Sequence, residues 1–290
     1  MRNKVLSSTS TNKEKRARLR QLIQTISNSR ESNFYKNIWK NTPLKNGVID
    51  FENTSTIEIG DIIKYKFNKR LYVKNGLFVK IIYHNNIPFL IARTKRDISK
   101  DNYGEINYER PLVFFESSHE SIEKALWLYN KNILPLMAED NIDLTEIIAG
   151  RYEIDSIIGD VKSITNIISR KTGRFDIKKI KNVTIIDSFF DKNFISILKN
   201  YLPSGKIQII LSLPETGPLG LLCKKTDKEN LTFHPPKNTI IETSKNGYLI
   251  ATRLILLPTP IIKYETEIKI RMAKKFCSCK KSNLNFSIQK

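Results

Sequence analysis

Cys223, His234, Cys277 and Cys279 are the residues of this 290-residue chain whose types and spacing point most directly to chemistry. Three thiols and one imidazole are a donor set for tetrahedral zinc in a structural site. Cys277-Ser-Cys279 puts two thiolates on one short loop, while Cys223 and His234 stand at either end of a ten-residue polar excursion. All three cysteines of the chain are used, beside the only histidine in its last 170 residues. The alternative is three separate thiols packed as small hydrophobes. An odd cysteine count does not suggest a disulfide framework. A zinc ion here would pin the loop after residue 222 to a C-terminal hairpin.

Glu215 is the second candidate. Ile207 to Leu211 is an unbroken aliphatic run of the kind a strand buried on both faces shows, and it breaks into Ser212-Leu-Pro-Glu-Thr-Gly217 around a single acid. Ligands of α/β sheets bind outside the carboxyl ends of strands, so a carboxylate at such an exit is a site candidate; a solvated turn acid is the plain alternative. Pro111 to Phe115, the polar stretch Glu116 to Ser121 and a helix bearing Ile122, Ala125, Leu126 and Tyr129 repeat the strand–loop–helix layout of a phosphate cradle. That loop has no glycine to admit a close backbone approach, and Ser118 or Ser121 could serve simply as a helix cap. His84 and His119 have no second ligand type beside them and read as ordinary loop histidines.

The elements that must position these groups follow from periodicity. Leu19, Leu22, Ile23 and Ile26 predict an amphipathic helix, with a second short one through Phe34, Tyr35, Ile38 and Trp39. Strands are predicted over 62–67, over 71–73 and 77–83 about the turn Asn75-Gly76, and over 88–92. Ile154, Ile157, Ile158, Val161, Ile164, Ile167 and Ile168 recur at helical spacing and predict one helix. Strand 183–186, helix 191–201 and the strand before Glu215 then alternate, as parallel strands with helical crossovers do. Beyond Cys223 the pattern turns to hairpins, 239–243 with 248–252 about Asn246-Gly247, then 260–264 and 267–272. The expected fold is α/β, with mixed sheets, helical crossovers and a β-rich, zinc-pinned C-terminal part. It forms one compact unit over 1–290: N-terminal helices and hairpin sheet (12–110), an α/β core (111–222) and the β-rich segment (223–290).

Composition sets the outer limits. A hydrophobic fraction of 40% supports a sizeable core. The balance of 49 basic against 29 acidic residues gives a net charge of +20, but lysine is spread through nearly every segment. Positive charge clusters only in Arg2, Lys4, Lys13, Lys15, Arg16, Arg18 and Arg20, and no nucleic-acid-binding motif accompanies it, so specific nucleic-acid binding is not expected. No apolar run approaches the roughly 20 residues of a membrane span, and Met1 to Lys15 is too polar for a secretory signal. A cytoplasmic location is expected.

One ordered series of motifs resembles a known family. Leu211-Ser-Leu-Pro-Glu215-Thr-Gly217, then Cys223, His234, Asn246-Gly-Tyr-Leu-Ile-Ala-Thr252, Pro260-Ile-Ile-Lys-Tyr264-Glu-Thr266 and Cys277-Ser-Cys279 resemble the phenylacetate-CoA ligase branch of the adenylate-forming enzymes. The opening helix with Asn33-Phe-Tyr35 is similar to the start of that family, and Arg110-Pro-Leu-Val-Phe-Phe-Glu-Ser-Ser118 to the approach to its phosphate loop. The resemblance implies ATP-dependent activation of a carboxylic acid to an acyl-adenylate, with magnesium, and coenzyme A or a carrier protein as acyl acceptor. It assigns Glu215 as the metal-associated catalytic carboxylate and Ser117, Ser118, Thr216, Gly217 and Glu267 as nucleotide contacts, and some members carry comparable cysteine and histidine positions.

This chain departs from the pattern. His119-Glu120-Ser121 replaces the Gly- and Thr-rich phosphate loop and adds a negative charge there. Leu211 and Ser212 stand for the adenine-packing aromatic and its glycine, Pro214 for a threonine, and Lys280-Lys281 for a Gly-Arg pair. The family's mobile C-terminal domain with its catalytic lysine is expected to be absent. A catalytically degenerate member acting as a binding or structural protein therefore stands as the alternative reading.

Overall fold

The computed structural model describes residues 16–21, 44–45, 48–49, 56, 78–84, 87–93, 98–99, 101, 103, 108–137, 142–170, 176–190, 192–202, 205–224, 231–254, 261–273, 277, 279 and 285–289. Its centre is an 11-stranded sheet. Strands β5 (Pro111–Phe114), β6 (Leu136–Met137), β7 (Ser156–Gly159), β8 (Asn182–Asp187) and β9 (Lys206–Leu213) run parallel in the order β6-β5-β7-β8-β9. Antiparallel strands continue the sheet beyond β9: β10 (Gly217–Leu222), β11 (Thr232–His234), β15 (Phe286–Ile288), β14 (Tyr264–Met272), β13 (Tyr248–Arg253) and β12 (Thr239–Thr243). Two short sheets stand apart, β1 (Leu44–Lys45) with β2 (Val48–Ile49) and β3 (Phe78–His84) with β4 (Ile87–Arg93).

The parallel strands are buried on both faces because successive residues feed two different cores. Leu112, Ile157, Val183, Ile185, Ile209 and Leu211 enter a core shared with helices α2 (Ile142–Arg151), α3 (Val161–Ser169) and α4 (Lys192–Tyr201). Val113, Phe115, Ile158, Ile186 and Ile210 enter a second core with Ile98, Tyr103, Tyr108 and, from helix α1 (Ser118–Tyr129), Trp127 and Leu128. The result is helix, sheet, helix.

The winding direction reverses at β5. The chain passes from β5 to β6 on one side, then returns to β7 on the other side of β5 and proceeds to β8 and β9. The connections after β5 and β7 thus diverge, which opens a crevice at their carboxyl ends.

Several elements differ from those expected, among them the strands expected over 260–264 and 267–272, in place of which one strand, β14, runs Tyr264–Met272. The single helix over Ile154 to Ile168 is a strand, β7, followed by α3. Ile157 and Ile158 point into opposite cores, as a central strand requires, and the Asp160 carboxylate caps α3 by accepting from Ser163 N at 2.7 Å. The polar loop expected over Glu116 to Ser121 is largely helix: α1 starts at Ser118, with Ser117 as its N-cap residue. Helix α2 was not anticipated. The described hairpin near residue 80 joins β3 to β4, with His84 opposite Ile87; the strand 62–67, the segment 71–73, the Asn75-Gly76 turn and the Phe34–Trp39 helix lie outside the described residues, and only 16–21 of the first helix is described.

Candidate functional site

Two sites are built on this sheet, at opposite ends of β10. At the first, β9 and β10 form an antiparallel hairpin whose turn, 214–216, carries Glu215. Gly217 closes it with φ +71°, a conformation that glycine adopts without strain. Glu215 is 7% exposed and accepts a hydrogen bond at Oε1 from the Tyr264 hydroxyl at 2.8 Å. It is a buried, oriented carboxylate and not the solvated turn acid the sequence also allowed. Burial, together with the negative charge of Glu215, raises the Tyr264 pKa above its ordinary value, so the hydroxyl stays a donor.

Thr216 is also buried; its hydroxyl donates to Gly217 O at 3.0 Å. The carbonyls of Thr216 and Pro218 both accept from Nη1 of Arg253, at 2.9 and 3.2 Å. Nη2 of the same guanidinium meets Asp101 Oδ1 at 2.6 Å in a pair whose side chains are 1% and 0% exposed. The sequence reading missed Arg253, Asp101 and the role of Tyr264. An arginine ending the apolar strand Tyr248–Arg253 was the available signal.

The other assigned nucleotide contacts lie on separate elements, and the charge of Glu267 is felt at Tyr264. Ser117 is exposed at the β5 end of the sheet, Ser118 opens α1, and Glu267 is exposed on β14. The β5 and β9 ends lie three strand spacings apart, about 14 Å. Side chains of the chain itself tie the crevice at β5 and β7. Asp160 Oδ2 accepts from Glu116 N at 2.8 Å, Lys162 pairs with Glu116, and Asp187 accepts from Val161 N at 3.0 Å and Ser188 N at 2.7 Å. Burial raises the Asp187 pKa against these hydrogen bonds.

The second site is the cysteine–histidine cluster. Cys223 follows β10 and His234 ends β11, which pair with Leu221 opposite His234. Cys277 and Cys279 lie in the connection from β14 to β15, and β15 pairs with β11. Two adjacent hairpins thus bring four donors together within 4.8 Å of one another. Cys223 Sγ lies 3.3 Å from Cys277 Sγ, and Cys279 Sγ lies 3.1 Å from His234 Nε2. The donors fit a metal ion: three soft thiolates and one imidazole, Cys223 and His234 buried, converge as a closed four-ligand set.

No family model matches the chain, and no curated protein sequence matches it. Solved structures do match in fold. The 2-hydroxyisobutyryl-CoA ligase in the postadenylation state in complex with 2-HIB-AMP superposes with a TM-score of 0.73 at 11% identity, over 98% of this chain and 70% of that one. The same ligase in an open conformation with 2-HIB-AMP and CoA gives 0.71 at 11% identity, over 98% and 72%. The amide bond synthetase McbA from Marinactinospora thermotolerans gives 0.56 at 9%, over 78% of this chain and 50% of that one. The architecture is therefore the mixed-sheet fold of adenylate-forming ligases. No helix among the described residues is long and apolar enough to cross a membrane.

Proposed function

We propose that the protein activates a carboxylic acid with ATP, the acid oxygen attacking the α-phosphorus while pyrophosphate leaves, to give an acyl-adenylate in the cytoplasm. The observation that carries this reading is Glu215, a buried carboxylate oriented by Tyr264 in a turn at the carboxyl edge of a sheet whose fold is that of adenylate-forming ligases. Glu215 would hold the magnesium that accompanies the nucleotide, and the bound ion would neutralise charge on the phosphates. Tyr264 keeps that carboxylate in one orientation before substrate arrives. Thr216 and Gly217 border the nucleotide in this reading, with Ser117, Ser118 and Glu267 as outer contacts, and coenzyme A or a carrier protein takes the acyl group. The motif series favours the phenylacetate-CoA ligase branch.

The cysteine–histidine cluster is assigned to zinc. Cys223, His234, Cys277 and Cys279 would hold the ion as a structural tie between two hairpins, with no open position for chemistry.

A second reading, a degenerate binding protein, has its own support. Only three residues separate β5 from helix α1, Glu120 stands in its first turn, and Asp160 and Asp187 take up backbone N–H donors along the carboxyl edge. Pyrophosphate release from Mg-ATP over a panel of aryl, fatty and short hydroxy acids separates the two. Acid-dependent release that Glu215→Ala abolishes supports the ligase; absence of both release and an ATP-dependent thermal shift leaves the binding protein.

A further inference from the structure

We propose that Arg253, backed by Asp101, is the positioning residue of the Glu215 turn and couples that turn to helix α1; the functional consequence rests on the ligase reading above. A single nitrogen of the guanidinium collects the carbonyls on both sides of Gly217, Thr216 O at 2.9 Å and Pro218 O at 3.2 Å. Holding two carbonyls that flank the flexible residue fixes how the peptides turn across it, and Glu215 immediately precedes the first of these two residues, Thr216. Arg253 itself ends β13, where its backbone N–H donates to Ile261 O at 2.8 Å, three residues before Tyr264. The two groups that orient Glu215, a hydroxyl on its side chain and a guanidinium on its following carbonyls, thus leave from one loop.

The grip is costly. Desolvating a guanidinium and a carboxylate that are 1% and 0% exposed exceeds what a well-packed apolar pair would require, and Arg253 Nε finds no partner among the described residues. A buried ion pair of this kind contributes a unique geometry more readily than net stability. A lysine would not replace it, because only the planar fork reaches carbonyls and carboxylate at once.

From Asp101 the contacts continue through buried side chains as far as Lys124, and Glu120 beyond it is part-exposed. Trp127 Nε1 donates to Asp101 O at 3.0 Å. The Tyr103 hydroxyl lies 3.1 Å from Asp101 Oδ2 and 3.3 Å from Glu123 Oε1, and its one hydrogen serves one carboxylate at a time. Lys124 joins Glu123 at 3.3 Å and Glu120 at 3.0 Å, with the ammonium 4.5 Å from the centre of the Tyr103 ring. Burial works to lower the Lys124 pKa, but the two glutamates outweigh it and keep the ammonium charged. Glu120, Glu123 and Lys124 all lie in α1, whose first residue follows the β5 exit at the sheet crevice. Lys124, Glu123, Tyr103, Asp101 and Arg253 thus form a continuous series of contacts from the first turn of α1 to the Glu215 turn, along which the coupling would run.

The experiment compares wild type, Arg253→Met, Arg253→Lys and Asp101→Asn by three readouts: thermal melting, millisecond hydrogen exchange at Glu215, Thr216 and Gly217, and the kcat and KM of acid-dependent pyrophosphate release. The expected result is exchange at least tenfold faster at the turn in Arg253→Met, unchanged exchange in 156–159, and kcat down at least tenfold with KM for ATP within threefold. Asp101→Asn should move both readouts in the same direction by less, and Arg253→Lys should not restore them. Turn exchange within twofold of wild type in both Arg253→Met and Asp101→Asn overturns the proposal, as does faster exchange with unchanged kcat. If wild type releases no pyrophosphate, the ligase reading fails and the exchange result alone decides the positioning claim. If Arg253→Met does not fold, Asp101→Asn and Arg253→Lys decide it by the same thresholds.

Discussion

The Tyr264 hydroxyl donates to Oε1 of Glu215 across 2.8 Å, joining residues 49 positions apart in a buried contact. A neutral donor orients a buried carboxylate without cancelling its charge. Removing the hydroxyl leaves a buried charge short of one partner, at a cost of about 1 to 3 kcal/mol. Tyr264→Phe should lower the melting temperature accordingly and reduce kcat for pyrophosphate release more than KM. Paired thermal melts and steady-state kinetics check both effects.

The Cys223, His234, Cys277 and Cys279 cluster should carry one equivalent of zinc in protein purified without added metal. Small zinc modules draw about 10 to 16 kcal/mol from the metal, so its loss should be felt in stability. Cys279→Ser should lose the ion and melt well below wild type. Elemental analysis and calorimetry test this, and less than about half an equivalent in well-folded wild type counts against it.

Burial pushes the Tyr108 pKa up to about 12, against the hydrogen bond it shares with Thr184 at 2.6 Å. The folded chain holds this proton more tightly than the unfolded one, whose phenol titrates near 10. The stability Tyr108 contributes is thus complete below pH 10 and is lost as pH rises through about 12. The loss amounts to about 2 to 3 kcal/mol. Denaturant melts between pH 9 and pH 12 should show this fall, and Tyr108→Phe should flatten it.

At Gly159, the last residue of β7, an added Cβ would stand 2.3 Å from Phe114 O, a backbone atom that cannot swing aside. Gly159→Ala should therefore push β5 and β7 apart and destabilise by about 1 to 3 kcal/mol or more. The same substitution at Gly247, where the nearest atom is 3.9 Å away, meets no clash but a positive φ of 87°. It should cost about 1 to 2 kcal/mol through backbone strain alone. Urea melts of the two variants separate these causes.

The cysteine–histidine cluster was legible because its donors are scarce in the chain and chemically distinctive; their convergence needed only that two hairpins be neighbours. The parallel core was legible from aliphatic runs alternating with amphipathic helices. Ile154 to Ile168 misled because isoleucines at 157 and 158 satisfy a helical stripe and a doubly buried strand equally well, and only the neighbouring strands decide between them. The reversal of β9 into β10 was hidden by a strand reading Gly-Pro-Leu-Gly, whose residues are poor strand formers; Gly220 is admitted because Phe233 and Phe286 close to within 2.9 Å of where its Cβ would be. An arginine at the end of an apolar strand could be noticed, but its pairing with Asp101, 152 residues away, was out of reach in sequence.

Oxygen transfer gives the most direct test of acid activation. In adenylate formation the acid oxygen becomes bonded to the α-phosphorus, and it remains on AMP when hydroxylamine takes the acyl group. Supplied with Mg-ATP, hydroxylamine and a panel of acids labelled with 18O in the carboxylate, the protein should yield AMP carrying one labelled oxygen with at least one acid, and Glu215→Ala should yield none. AMP without label, or no AMP with any acid, would contradict the account.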